Sequence, residues 1–292
     1  MVNARGSLLL GCLLLAGCGR APAPDFAAPA AVIHEPVSDR YLVSNLGTPD
    51  VDGDGFIVSS SPRDGARALW AGGGASGVVL NNPRGMAVVD GELWVADVDV
   101  VRRLDLGSKA PVGQVEIAGA SMLWGVSAGP DGNVYVSDVG LNEALEPTGT
   151  DAIWRVSRSG DVSLLIQGED LGQPSAISAQ RAGLYVVGWR KGAFFQVDYR
   201  GSKTDLSLAP EGRLSGLARV ETEGYLGGRR AMVPSWLASS WGGATVYRFA
   251  LSGGVTALGA ALEQPGLIGV DLGRRRLLVP LLGADRLHLE QL

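Results

Sequence analysis

Short apolar stretches, each closing on a small or polar pair, recur along the length of this chain. The copies are Arg40-Tyr-Leu-Val-Ser-Asn45, Glu92-Leu-Trp-Val-Ala-Asp97, Asn133-Val-Tyr-Val-Ser-Asp138, Gly183-Leu-Tyr-Val-Val-Gly188, Arg230-Ala-Met-Val-Pro-Ser235 and Arg276-Leu-Leu-Val-Pro-Leu281. Their third residues lie 41–52 positions apart. A strand-like run precedes each copy, often after proline, as in Pro83-Arg-Gly-Met-Ala-Val-Val89 and Pro174-Ser-Ala-Ile-Ser-Ala179; Ala31-Val-Ile-His-Glu35 is the weakest. An alternating run follows, as in Ile153-Trp-Arg-Val156 and Val246-Tyr-Arg-Phe249. A fourth often comes after a glycine turn, as in Ser159-Gly-Asp-Val-Ser-Leu-Leu-Ile166. Short runs of β-branched and aromatic residues between turn signals read as strands. Four strands repeated every 40–50 residues or so is the spacing of a propeller blade. The pattern therefore predicts an all-β fold: a six-bladed β-propeller of four-stranded antiparallel blades over residues 31–292. A β-sandwich is the competing all-β answer, but it has no need of one phrase six times. The last copy runs out at Leu292 after three strands. Propellers remove exposed edges by closing the ring, so residues in or just before 22–31 are expected to pair with the final blade.

The first residues follow another rule. Arg5, the apolar run Leu8 to Leu15 and the small pair Ala16-Gly17 have the form of a secretory signal, residues 1–17. Leu15-Ala16-Gly17-Cys18 looks like a bacterial lipobox, which implies cleavage before Cys18 and acylation of its thiol. The other reading is an ordinary signal peptide with an incidental cysteine. Two or three acyl chains would anchor the chain durably, palmitate among the candidates. Residues 18–30, rich in Pro and Ala, read as a tether. Gly19 after the cysteine favours the outer membrane if the host is Gram-negative. Cys12 lies in the removed segment, so the mature chain has no disulfide and relies on packing.

Charge narrows the partners. The net charge is −5, and the densest basic run is Arg274-Arg275-Arg276. That argues against nucleic acid and against adsorption to anionic lipid. The expected partners are the bilayer through Cys18 and a small molecule or an envelope protein, with the propeller a monomer.

Candidate chemistry is sparse. Asp50-Val-Asp-Gly-Asp-Gly-Phe-Ile57 fits the Asp-x-Asp-x-Asp-Gly core of a calcium loop through Asp50, Asp52 and Asp54, and Ca²⁺ is the cofactor it offers. Position 12 is Ser61 rather than Glu, and a hairpin loop with Asp-Gly turns explains the same residues. Asn45, Asp97 and Asp138 end equivalent strands, as a polar ring at a channel mouth or as partners of turn backbone. Trp124, Trp189, Trp236 and Trp241 sit at turns, either lining a mouth for an apolar or sugar-like ligand or packing between blades. Trp70, Trp94 and Trp154 sit mid-strand as packing. The long loop Gly140 to Asp151 carries Glu143 and Glu146. His34 and His288 are the two histidines, and no nucleophile motif accompanies them.

The Pro-x-Gly-Leu-Ala-like strand, the Asp131-Gly132 turn and the Leu-Tyr-Val-Ala-Asp-like strand resemble two related six-bladed groups. These are the NHL-repeat propellers and the regucalcin–gluconolactonase (senescence-marker-protein) superfamily, and the resemblance covers residues 31–292. It implies a divalent metal, usually calcium, at the channel mouth. The implied ligands are a Glu on the first inner strand, two Asn, and an Asp. Here the Glu position falls near Ala28 to Ala30, with Glu35 several residues late. The Asn positions fall on Trp124 and Ser175, and the Asp position on Ser215. Trp and Ser do not offset the desolvation of Ca²⁺. The sequence thus points to a membrane-anchored binding module that has lost the metal site. The alternative is a gluconolactonase-type hydrolase with shifted ligands such as Asp97, Asp138 or Glu143.

Overall fold

The computed structural model describes residues 24–48, 51–74, 77–226, 228–259 and 261–292. The signal segment 1–17, Cys18 and Asp50 lie outside them. Six antiparallel sheets form six blades. Blade one is β1 (Pro29–Glu35), β2 (Arg40–Asn45), β3 (Phe56–Ser60) and β4 (Arg67–Gly72). Blade two is β5 (Pro83–Val89), β6 (Glu92–Asp97), β7 (Val100–Asp105) and β8 (Pro111–Glu116). Blade three is β9 (Leu123–Ala128), β10 (Val134–Asp138), β11 (Ala152–Val156) and β12 (Val162–Gln167). Blade four is β13 (Pro174–Gln180), β14 (Gly183–Gly188), β15 (Ala193–Val197) and β16 (Lys203–Leu208). Blade five is β17 (Leu214–Leu226), β18 (Arg229–Ser240), β19 (Thr245–Ala250) and β20 (Val255–Leu258). Blade six has three strands, β21 (Gly269–Asp271), β22 (Arg276–Leu281) and β23 (Arg286–Gln291).

The inner strands β1, β5, β9, β13, β17 and β21 surround the central axis, each beside the next. Backbones approach so closely there that side chains do not fit at certain positions. A Cβ on Gly85 would lie 2.4 Å from the Trp124 carbonyl oxygen, and one on Gly216 2.5 Å from the Ile268 nitrogen. The glycine third in β5, β9 and β17 (Gly85, Gly125 and Gly216) is thus a packing requirement. The core is distributed between blades rather than held in one centre. Trp94, for example, packs with Leu123 and Val134 of the next blade, and Trp236 with Val187 and Phe194 of the one before.

Blade five corrects one alignment. Leu214 pairs with Ser240, as Pro83 pairs with Asp97. The fifth copy of the phrase is therefore Ser235-Trp-Leu-Ala-Ser-Ser240. Arg230–Ser235 instead belongs to an arm in which β17 and β18 run on past the blade, on the face opposite the inner-strand starts. The apolar run Ala231-Met-Val233 imitated the phrase because a twisted two-stranded arm also alternates its faces.

Ring closure also differs from expectation. Residues 29–35 are the inner strand of blade one, and among the described residues no fourth strand flanks β23. The tether expected over 18–30 merges with the propeller at its end, since Phe26 is buried against Leu278 and Leu287. Closure uses backbone and charge. Leu267 N–H donates to Ala30 O at 2.8 Å, Val32 N–H to Leu267 O at 3.1 Å, and Ala28 N–H to Asp285 Oδ1 at 2.7 Å. On the opposite face, Arg274 of blade six donates to Asp39 Oδ1 and Oδ2 (2.8 and 2.6 Å) and to Asp271 Oδ2 (2.9 Å). The Tyr41 hydroxyl also donates to Asp271 Oδ2, and His34 lies 3.3 Å from Asp39. His288 is elsewhere, near Glu290.

This latch makes a pH prediction. The Arg274 hydrogen bonds hold the Asp39 carboxyl down at about 2. Burial opposes the charge on Asp271, but Arg274 and Tyr41 outweigh it and leave its pKa below the usual range. Carboxylates with depressed folded-state pKa values stabilise above their unfolded value of roughly 4 and lose that contribution as pH falls through the folded value. Thermal melts from pH 7 to pH 2 should therefore show an acid loss concentrated between about pH 4 and 2. Arg274→Ala should lower the melting temperature at pH 7 and flatten that loss. An unchanged acid limb in the variant would show that other carboxylates set it.

Candidate functional site

The site is built at the face where the inner strands begin. Pairing between first and second strands shifts register there in blades one to five. A bulge re-aims a side chain, and here it acts on the second residue of each inner strand. Those residues are Ala30, Arg84, Trp124, Ser175 and Ser215, with Gly266 at the corresponding place in blade six.

Asn45, Asp97 and Asp138 lie at this face, and their side-chain oxygens are taken up mainly by backbone N–H groups. Asp97 is fully buried and accepts from Asn81 N–H (2.9 Å), Asn82 N–H (2.6 Å) and Arg102 Nε (3.0 Å). Asp138 is also fully buried and accepts from Ser121 N–H (3.0 Å), Met122 N–H (3.1 Å), Gly140 N–H (3.0 Å) and the Ser121 hydroxyl (3.2 Å). Asn45 Oδ1 accepts from Ala27 N–H at 3.1 Å. Each side chain fastens the loop that enters its own inner strand. In blade four Gly188 takes that place, and Asp151 accepts from Gln173 N–H at 2.7 Å instead. Burial, reinforced by neighbouring Asp138 and resisted by the Gln173 N–H, raises the Asp151 pKa.

One position earlier in the phrase, serine joins neighbouring blades. Ser44 accepts from Ala31 N–H and donates to Arg84 O at 2.8 Å. Ser137 accepts from Gly125 N–H and donates to Ser175 O at 3.3 Å. Ser239 repeats this between Gly216 N–H and Gly266 O. Ser175 itself donates to Val187 O and Leu214 O. Ser215 Oγ is buried with no partner among the described residues.

Three of the four loop tryptophans converge. Trp124 and Trp189 have ring centroids 5.5 Å apart, and Trp189 and Trp241 4.8 Å apart. With Met122, Val139, Leu141 and Leu267 they form an apolar plug across blades three to six. Trp124 and Trp189 are buried, so they close the mouth instead of lining an open one. Trp236 does not join them. It is a mid-strand core residue, stacked on Tyr185 at 4.1 Å.

The open space lies beside the plug, over blades one to three. A cavity of about 230 Å³ is bounded by Thr48 and Asp52 of one loop, Asn81 and Asn82 before β5, Arg84, and Glu143 of the long loop. Arg84 is 6% exposed and lies 4.3 Å over the Trp124 ring. Its guanidinium donates no hydrogen bond and joins no ion pair among the described residues, and its Nε is buried without a partner. Burial pushes its pKa down to about 10, against the pull of Glu143 and Asp97, so it stays charged at neutral pH. Asn82 Oδ1 is likewise buried and unpartnered. Of the acidic loop, Asp52 borders this cavity, while Asp54 Oδ2 accepts from Thr48 N–H at 2.9 Å and closes the turn. Glu146 turns away to bond Asn142.

The metal implied by the resemblance does not fit these residues. The positions at the mouth hold Ala30, Arg84, Trp124, Ser175, Ser215 and Gly266, and the nearby carboxylates Asp97 and Asp138 are spent on backbone N–H groups. Among the described residues no three His, Cys, Asp or Glu side chains converge. Arg84 and Asp151 are the mouth residues that sequence reasoning missed. Arg84 had a readable signal: it is the second residue of its inner strand, like Trp124, Ser175 and Ser215.

No protein-family model and no curated protein matches the sequence. Solved structures do. A gluconolactonase from Xanthomonas campestris is 15% identical with a TM-score of 0.67, covering 91% of this chain and 86% of that one. An auxiliary nutrient binding protein from Bacteroides thetaiotaomicron is 11% identical with a TM-score of 0.67, covering 91% and 70%. A virginiamycin B lyase from Staphylococcus aureus is 14% identical with a TM-score of 0.59, covering 90% and 84%. At these identities the likeness is one of architecture: the chain is a six-bladed β-propeller, with the fold that gluconolactonases share with several other proteins.

Proposed function

We propose that this chain is a lipid-anchored propeller of the bacterial envelope that binds a small molecule at the mouth face, in the cavity beside Arg84. The observation that carries this reading is the unpaired, buried guanidinium. An isolated buried charge costs several kcal/mol, roughly, unless something compensates it. The Trp124 ring returns about 0.5–2 kcal/mol of that, Glu143 and Asp97 attract the charge from a distance, and a ligand with an anionic group supplies the direct partner that the described residues do not. The apolar plug beside the cavity excludes water and strengthens a charge contact there. The nutrient binding protein of similar architecture fits the same class of role. Binding is preferred here to a gluconolactonase-type hydrolase because Asp97 and Asp138, two of the shifted ligands such an enzyme would use, already accept from loop N–H groups.

The test is a thermal-shift screen of the soluble domain, residues 19–292, against a metabolite library, repeated with Arg84→Met. Compounds that stabilise the wild type should lose their effect in the variant. Hits that survive the substitution, or metal-dependent lactone hydrolysis, would overturn the reading. In cells the full chain should fractionate with membranes, and Cys18→Ser should release it.

A further inference from the structure

Charges around the cavity are arranged in two poles. One is Arg84, a donor-only group without an acceptor among the described residues. The other is a set of acceptors: the exposed carboxylates of Asp52 and Glu143, and the buried, unpartnered Asn82 Oδ1. Between and beside them lie Ala28, Leu46, Val51 and Val98. The volume of about 230 Å³ falls below the roughly 300–1,000 Å³ of pockets for drug-sized ligands.

We infer that this cavity receives a small zwitterion of amino-acid size, its carboxylate on the Arg84 guanidinium and its ammonium among Asn82 Oδ1, Asp52 and Glu143. The inference rests on the mouth-face binding proposed above and names the ligand class. A planar guanidinium presents paired N–H groups that match a carboxylate. An ammonium has three protons to place, and the opposite pole offers three acceptor groups. Competing ligands meet a wrong charge. A phosphate dianion satisfies Arg84 but confronts two carboxylates. A divalent cation or a simple amine satisfies the carboxylates but confronts the guanidinium. A zwitterion leaves neither pole unpaired, and the aliphatic lining accepts a short apolar side chain.

Isothermal titration of the soluble domain tests this with L-leucine and L-alanine as zwitterions, acetate and n-butylamine as the separate poles, and inorganic phosphate and calcium chloride as competitors. At least one zwitterion should bind, with acetate and butylamine weaker by about tenfold or more, since each leaves one charged pole unmatched. Arg84→Met should reduce zwitterion affinity by about ten- to a hundredfold. Glu143→Gln should reduce it less, because that carboxylate is solvated. Arg84→Met should not lower the ligand-free melting temperature, because it replaces an unpaired buried charge with an apolar chain. That readout separates lost binding from lost folding. Preferred binding of phosphate or calcium, or zwitterion binding indifferent to both substitutions, would overturn the inference. If metabolites bind in an Arg84-dependent way and no zwitterion does, the mouth-face reading survives and the ligand class falls. If nothing binds, both fall.

Discussion

Replacing Trp236 with alanine is expected to cost about 3–5 kcal/mol of stability, the range for removing a large aromatic side chain from a packed core. Trp236 is 2% exposed and touches rings on the adjoining blade, Tyr185 at 4.1 Å and Phe194 at 5.6 Å between centroids. Its loss would open a void in the seam between blades four and five, where Phe249 and Val187 also pack. Trp236→Phe should recover most of the loss, since it keeps an aromatic face and removes an indole N–H that has no acceptor. Trp241→Ala should cost clearly less, because that ring is half-buried and its Nε1 donates to Pro265 O at the surface of the plug. Urea midpoints of the three variants decide the matter. Equal losses for Trp236→Ala and Trp241→Ala would mean that the plug, not the seam, bears the load.

The second large effect is at Asp138. Alanine there should cost about 3 kcal/mol, because three backbone N–H groups lose their acceptor together and each unsatisfied buried donor is worth about 1–3 kcal/mol before water enters. The damage should be local as well as global. Hydrogen exchange at Ser121, Met122 and Gly140 should accelerate more than at strand centres such as Val136. Asp138→Asn keeps one acceptor oxygen and should fall between the two. If exchange rose evenly over blade three, the carboxylate would be acting through overall stability rather than by fastening the mouth loops.

Most of the architecture was legible because a propeller writes its fold locally. Every blade needs the same apolar alternation and the same turns, so the period shows in the chain. Where a local signal had two sources, it misled. Arg230–Ser235 alternates because it lies in a projecting arm, and the true phrase at Ser235–Ser240 was hidden by its own tryptophan and serines. The candidate residues divided similarly. Asn45, Asp97 and Asp138 are marked as candidates by their place in the phrase, but their accessibility depends on whether loop N–H groups from upstream residues reach them. Trp124, Trp189 and Trp241 are separated by dozens of residues, and only packing across four blades makes them one plug.

The amino-acid sequence by itself determined the all-β class and the six-blade count, because these are matters of composition and period. Only the tertiary structure decided how the ring closes, which polar groups at the mouth are already satisfied, and that Arg84 is buried without a partner among the described residues. Those depend on which distant segments meet, and the cost of leaving a donor or a charge unpaired is set by the partners that folding brings to it.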